Sequence, residues 1–133
     1  VPSIQYVNDQ TPYRAGACNI GPAEQARRRR AGIAGIAAAA TLAVLMLVAG
    51  AEPILRWVVA IPLYGGIIGF AQAQLKFCVG FGLAGVRNFG PLGSAEKVEA
   101  EAAAEDRRRA LLIGAACGIA TLAITALFVA LPV

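Results

Sequence analysis

The stretch AGIAGIAAAATLAVLMLVAGA, residues 31–51, carries no charged side chain over a length that matches the thickness of a bilayer. A helix needs about 20 mostly apolar residues to cross a hydrocarbon core about 30 Å thick. Two further stretches have the same character, WVVAIPLYGGIIGFAQAQL at 57–75 and ALLIGAACGIATLAITALFVALPV at 110–133. A soluble chain of 133 residues has no core deep enough to hide three such segments. The composition, 58% hydrophobic and 15% charged, points the same way. The expected fold is an all-α integral membrane protein with three transmembrane helices, a helical hairpin plus a third long helix with a cytoplasmic extension.

Working outward from these spans, the basic residues set the orientation, because Lys and Arg collect on cytoplasmic segments. Arg14, Arg27, Arg28, Arg29 and Arg30 precede the first span, and Lys76, Arg87, Lys97, Arg107, Arg108 and Arg109 lie between the second and third. Only Arg56 lies between the first and second, and no basic residue follows the third. This distribution predicts a bacterial inner membrane protein with its N-terminus in the cytoplasm and its C-terminus outside. Trp57 then belongs at the outer interface, and Phe77, Phe81 and Phe89 near the inner one. Residues 1–26 offer no short apolar run after a basic segment, so no cleaved signal peptide is expected there.

Three regions follow. Residues 1–21 read as a cytoplasmic arm, irregular over 1–17 and ordered only where a partner holds it. Residues 22–93 read as a transmembrane hairpin with an interfacial segment. Pro22 suits the first turn of a helix, with Asn19 or Gly21 as the cap and Glu24 favoured by the helix dipole. Gly50, Glu52 and Pro53 end that helix. Pro62, followed by Gly65, Gly66 and Gly69, predicts a kink in the second span. The apolar run 77–86 is too short to cross again and is either an interfacial helix or a continuation of span two. Residues 94–133 read as one cytoplasmic helix continuing into the third span, with Ser94 as N-cap and an unbroken rod over 95–131 about 55 Å long.

Small residues carry the packing clues, since glycines at helical spacing let helices approach closely in lipid. Gly65 and Gly69 form one GxxxG, Gly114 and Gly118 another, and Gly32 and Gly35 thin the first span. They either pack the three helices on one another or dock a neighbouring subunit. Arg27 to Arg30 and Arg107 to Arg109 read as lipid headgroup anchors, each gaining about 1 kcal/mol from acidic headgroups. Gly80, Gly82 and Gly85 spell GxGxxG, but without the βαβ unit that gives a dinucleotide fingerprint its meaning. The expected partners are membrane lipids and other subunits of a membrane complex, with no nucleic acid and no soluble small-molecule substrate.

The chain has no histidine and one methionine. No cofactor is expected from its own side chains, although a lipid, pigment or quinone can lie against its surface. Cys18, Cys78 and Cys117 match no zinc or iron–sulfur spacing. They read as small buried apolar residues, or, for Cys18 and Cys78, as a juxtaposed redox pair near the cytoplasmic boundary.

The segment Cys18-Asn19-Ile20-Gly21, the arginines at 27–30, Gly32 and Gly35, the run Gly66-Ile67-Ile68-Gly69-Phe70 and the later Phe77-Cys78 resemble the small inner-membrane domain of unknown function found alone or fused to rhodanese domains. The resemblance spans about residues 18–88. It implies a two-helix hairpin with an Asn-x-Gly start, an arginine in the first turn and a cysteine at the exit of the second helix. Val79 and Gly80 stand where that family has proline and an aromatic residue, and the third span is an addition.

The function expected is that of a non-catalytic accessory subunit in a respiratory or photosynthetic electron-transport complex, stabilising or docking its neighbours. A small cysteine-based sulfur or redox membrane protein is the alternative, and a homo-oligomeric small transporter with the broken second span lining a path is the weaker one. No catalytic or metal-binding residue is assigned.

Overall fold

The computed structural model of the chain describes residues 13–132. The expected irregular arm lies in part outside these described residues. From Pro22 onward the order is α1 (Pro22–Ala49), a 3-10 helix (Pro53–Val59), α2 (Ala60–Leu75), α3 (Val79–Ala84), β1 (Val86–Arg87), β2 (Glu96–Lys97) and α4 (Ala100–Val129). The chain is mostly helical, and three helices are long and apolar enough to cross a membrane: Pro22–Ala49, Pro53–Leu75 and Ala100–Val129.

Helix α1 starts where Pro22 can sit without a donor, with Gly21 as an extended N-cap. Asn19, the other cap candidate, is engaged elsewhere. The helix ends at Gly50, whose left-handed φ of 69° lets its N–H reach back to the carbonyls of Leu47 and Met46. The second span is irregular as expected, and the irregularity takes the form of a change in pitch. Residues Pro53–Val59 wind as a 3-10 helix, and α-helix begins at Ala60, so Pro62 falls in the first α turn. There its missing N–H costs least.

Of the two alternatives for the run 77–86, continuation of the second span is excluded: Lys76 takes a left-handed φ of 56° and the chain turns into the separate short helix α3. One expectation is corrected. The third helix begins at Ala100 rather than Ala95, with Glu99 instead of Ser94 at its N-cap. The reason is β-pairing. Val86 lies opposite Lys97 and Arg87 opposite Glu96, and the Val98 N–H donates to the Gly85 carbonyl at 3.0 Å. Residues with helix propensity are thus held extended by a partner strand. Helix α4 is 30 residues long, about 45 Å, and the two-residue ladder is a small β addition to the expected all-α fold.

Helix α2 is central, packing α1 on one side and α4 on the other. Against α1 the approach is backbone to backbone. A Cβ on Gly66 would lie 2.6 Å from the Ile36 nitrogen, one on Gly69 would lie 2.7 Å from the Gly32 nitrogen, and one on Gly35 would overlap the Gly66 nitrogen. Gly65 meets nothing within 4 Å, so the contact is built from Gly66 and Gly69 on α2 rather than the expected Gly65 and Gly69. Against α4, Tyr64 lies over Gly114 and Gly118 and its hydroxyl donates to the Gly114 carbonyl at 3.2 Å. The buried core of Phe77, Ala110, Ile113 and Cys117 joins α2, α3 and α4. At the far end Arg56, 2% exposed, donates from Nη1 to the carbonyls of Phe128 and Leu131 at 3.2 Å each, and stacks on the Phe128 ring. It thereby satisfies carbonyls that the end of α4 leaves open.

This packing separates two adjacent glycines. Gly66→Val should destabilise the detergent-solubilised protein by about 1–3 kcal/mol through overpacking. Gly65→Ala should leave stability unchanged or raise it by up to about 1 kcal/mol, the helix preference of alanine over glycine. Reversible unfolding followed by helical circular dichroism reads both.

Candidate functional site at the arginine-rich end

The close approach of α1 and α2 brings the first turns of α1 over the exit of α2. Here the chain buries polar groups, which is costly unless each finds a partner. Asn19, Glu24 and Asn88 are almost fully buried, and Cys78 is 4% exposed. Asn19 acts as a clamp: its Oδ1 accepts from the Cys78 N–H at 2.7 Å and its Nδ2 donates to the Cys78 carbonyl at 3.2 Å. The main chain adds to this, with the N–H of Asn19 donating to the Lys76 carbonyl at 3.1 Å.

Glu24 forms the second half of the knot. One carboxylate oxygen accepts from Arg28, a helical turn later, and the other accepts from Asn88 Nδ2 at 2.9 Å. Arg28 then reaches across to α3, where its Nη2 donates to the Cys78 sulfur at 2.8 Å and its guanidinium lies 5.3 Å from the centre of the Phe81 ring. The same sulfur caps α3, accepting from the Phe81 N–H at 3.5 Å. Asn88 is tied in through its main chain, donating to the Asn19 carbonyl at 2.9 Å and accepting from Gly21 at 2.8 Å.

The described part of the N-terminal arm is held by the chain itself rather than awaiting a partner. Asp106 on α4 is fully buried and accepts from the Tyr13 hydroxyl and the Gly16 N–H, each at 2.7 Å. Burial and the bond to Asp106 push the Tyr13 phenol well above its ordinary range, so it stays a neutral donor. Arg87 stacks 5.2 Å from the Tyr13 ring centre and pairs with Glu96 at 3.6 Å.

The arginines expected to anchor headgroups divide. Arg27, Arg29, Arg30, Arg107 and Arg108 are exposed, and Arg109 is half-buried. Arg28 is turned inward with only 13% of its side chain exposed, because it neutralises Glu24 and fills the space above Cys78. Of the glycines, Gly32, Gly35 and Gly69 meet within the hairpin, Gly114 and Gly118 receive Tyr64, and Gly65 faces open space. Cys18 and Cys78 have different neighbours. Cys18 lies 4.0 Å from the Ile20 carbonyl at the edge of a surface hollow shared with Lys76 and Phe89, whereas Cys78 faces Arg28 and α3. Burial raises the Cys18 thiol above its ordinary value, which disfavours the thiolate. All three cysteines are free thiols. Among the described residues no group of three His, Cys, Asp or Glu side chains could hold a metal.

Sequence reasoning missed most of this knot. Glu24 and Arg28 did carry a signal, an acid and a base four residues apart on one helix. Asn88 and Asp106 carried none, since their burial depends on where the chain folds back. No family model, no curated protein and no solved structure matches the chain.

The knot makes an ordered prediction about thiol chemistry. On folded protein a maleimide should modify Cys18, slowly at neutral pH and faster as the pH is raised, and should spare Cys78 and Cys117. Asn19→Ala or Arg28→Met should speed Cys78 modification by about tenfold or more by loosening contacts worth about 1–3 kcal/mol. Peptide mapping of the labelled sites checks both.

Proposed function

We propose that this chain is a non-catalytic accessory subunit of a larger assembly in a bacterial inner membrane, with its N-terminus and the connection between α2 and α4 in the cytoplasm and its C-terminus outside. The observation that carries the reading is the one-sided packing of α1. This helix uses its glycine face against α2 and leaves Ile33, Ile36, Val44, Leu45 and Val48 exposed along the rest. Gly65 adds a thin, open position on α2. Such faces suit a neighbouring helix, because association in lipid depends on packing of small and apolar groups. The polar groups of the arginine-rich end support the same reading, since Asn19, Glu24, Arg28 and Asn88 spend their hydrogen bonds on one another and hold the hairpin rigid.

One observation favours a second reading, a cysteine-based sulfur or redox protein. Cys78 receives a guanidinium and a backbone N–H at its sulfur, so a basic side chain stands beside a nucleophilic atom. Its expected partner Cys18 is a free thiol whose sulfur lies 4.0 Å from the Ile20 carbonyl.

Mild-detergent purification of the tagged chain from its host, with co-migrating subunits identified by mass spectrometry, tests the proposal. Wild type should bring down a constant set of membrane subunits. Gly65→Leu should release them while the chain still inserts, as leucine favours insertion. A chain that purifies alone, or Gly65→Leu with an unchanged partner set, would count against docking. Loss of host activity in Cys78→Ser with the partner set intact would favour the redox reading.

A further inference from the structure

A groove along α4 holds two adjoining hollows of different character. One, about 340 Å³, lies between α2 and α4 and is apolar, lined by Ala71, Leu75, Ile113, Ala116 and Cys117. The other, about 320 Å³, lies between α4 and the N-terminal arm and is lined by Ala15, Gly16, Glu105 and Arg108. Leu112 lines both. Arg109 and Cys117 are about 12 Å apart along α4. Arg109 also lines both hollows, and its Nε is buried with no hydrogen-bond partner among the described residues. A buried donor left without an acceptor is costly.

We infer that this groove holds one anionic glycerophospholipid, with its phosphate at Arg109 and Arg108 and an acyl chain against Ala71, Leu75 and Ala116. Charge decides the headgroup. Arg108 and Arg109 line the hollow with Glu105, while the neighbouring Asp106 carboxylate is spent on Tyr13 and the Gly16 N–H, and basic pockets between membrane helices at the cytoplasmic face suit acidic headgroups. Glu105 at the rim suits a headgroup that also carries a hydroxyl donor, as phosphatidylglycerol does. The apolar slot supplies what a free phosphate cannot use, a surface for hydrocarbon. The inference rests on the membrane placement proposed above. It differs from general attraction of basic residues to the membrane surface in assigning the lipid to Arg109 and not to the exposed Arg107.

Native mass spectrometry of the full chain in detergent, titrated with phosphatidylglycerol or phosphatidylcholine of the same acyl chains, tests it. One phosphatidylglycerol should remain bound, with phosphatidylcholine at least tenfold weaker. Wild type should bind six-carbon phosphatidylglycerol at least tenfold more weakly than the long-chain form, a comparison that needs no variant. Arg109→Gln should reduce retention about tenfold, and so should Ala116→Phe, which fills the slot and keeps every arginine. Arg107→Gln should retain the lipid like wild type. Equal loss in Arg107→Gln and Arg109→Gln, equal binding of the two headgroups, or indifference to chain length or to Ala116→Phe would overturn the inference. A chain extracted from membranes that holds no lipid overturns this inference alone. A chain recovered in the soluble fraction without detergent overturns the membrane placement and the inference with it.

Discussion

Gly32, Gly35, Gly66 and Gly69 let α1 and α2 run with backbone against backbone, and the geometry of the arginine-rich end follows from that distance. Only at such a separation can Glu24 and Arg28, in the first turns of α1, reach Asn88 and Cys78 beyond the end of α2. A side chain at any of these glycines would meet main-chain atoms, which cannot move aside as the end of a flexible side chain can. The glycine contact itself contributes packing. Its larger consequence is to close a polar cluster whose members would be costly to bury singly. Removing one partner of a buried ion pair typically costs about 3–5 kcal/mol, so Glu24 and Arg28 are tolerated only together and only in this register.

The three long apolar helices and the hairpin were legible in the sequence because they depend on length and local composition. The start of α1 at Pro22 and its end at Gly50 were legible for the same reason, since both residues act through their own backbone. The start of α4 was not. Glu96 and Lys97 have helical preferences, and pairing with Arg87 and Val86, ten or so residues earlier, overrides them. Glycine spacing identified the right helix face only approximately: Gly65 and Gly66 are adjacent, and one residue corresponds to about 100° of rotation. Arg28 was grouped with its neighbours by sequence, whereas its direction is fixed by Glu24 on the preceding turn and by Cys78 fifty positions away.

The two ends of the molecule use arginine differently. At one end Arg27, Arg29, Arg30, Arg107 and Arg108 remain exposed. At the other, Arg56 is drawn inward to the carbonyls that finish α4 and to the Phe128 ring. An arginine occupied in this way closes a helix end and leaves that side of the molecule with little exposed positive charge. The resulting asymmetry of free basic side chains is the physical basis of the proposed orientation, since retention of Lys and Arg on the cytoplasmic side sets topology.

That orientation, with three crossings and the ends on opposite faces, is tested most directly by labelling a cysteine placed in an extension after Val133 in a chain whose own three cysteines are replaced by alanine. In intact spheroplasts a membrane-impermeant maleimide should label it fully, and a cysteine at Gly93 in the α2–α4 connection should be labelled only after the membrane is opened. Labelling of the C-terminal cysteine only after opening, or of the Gly93 position in intact cells, would contradict the three-span arrangement.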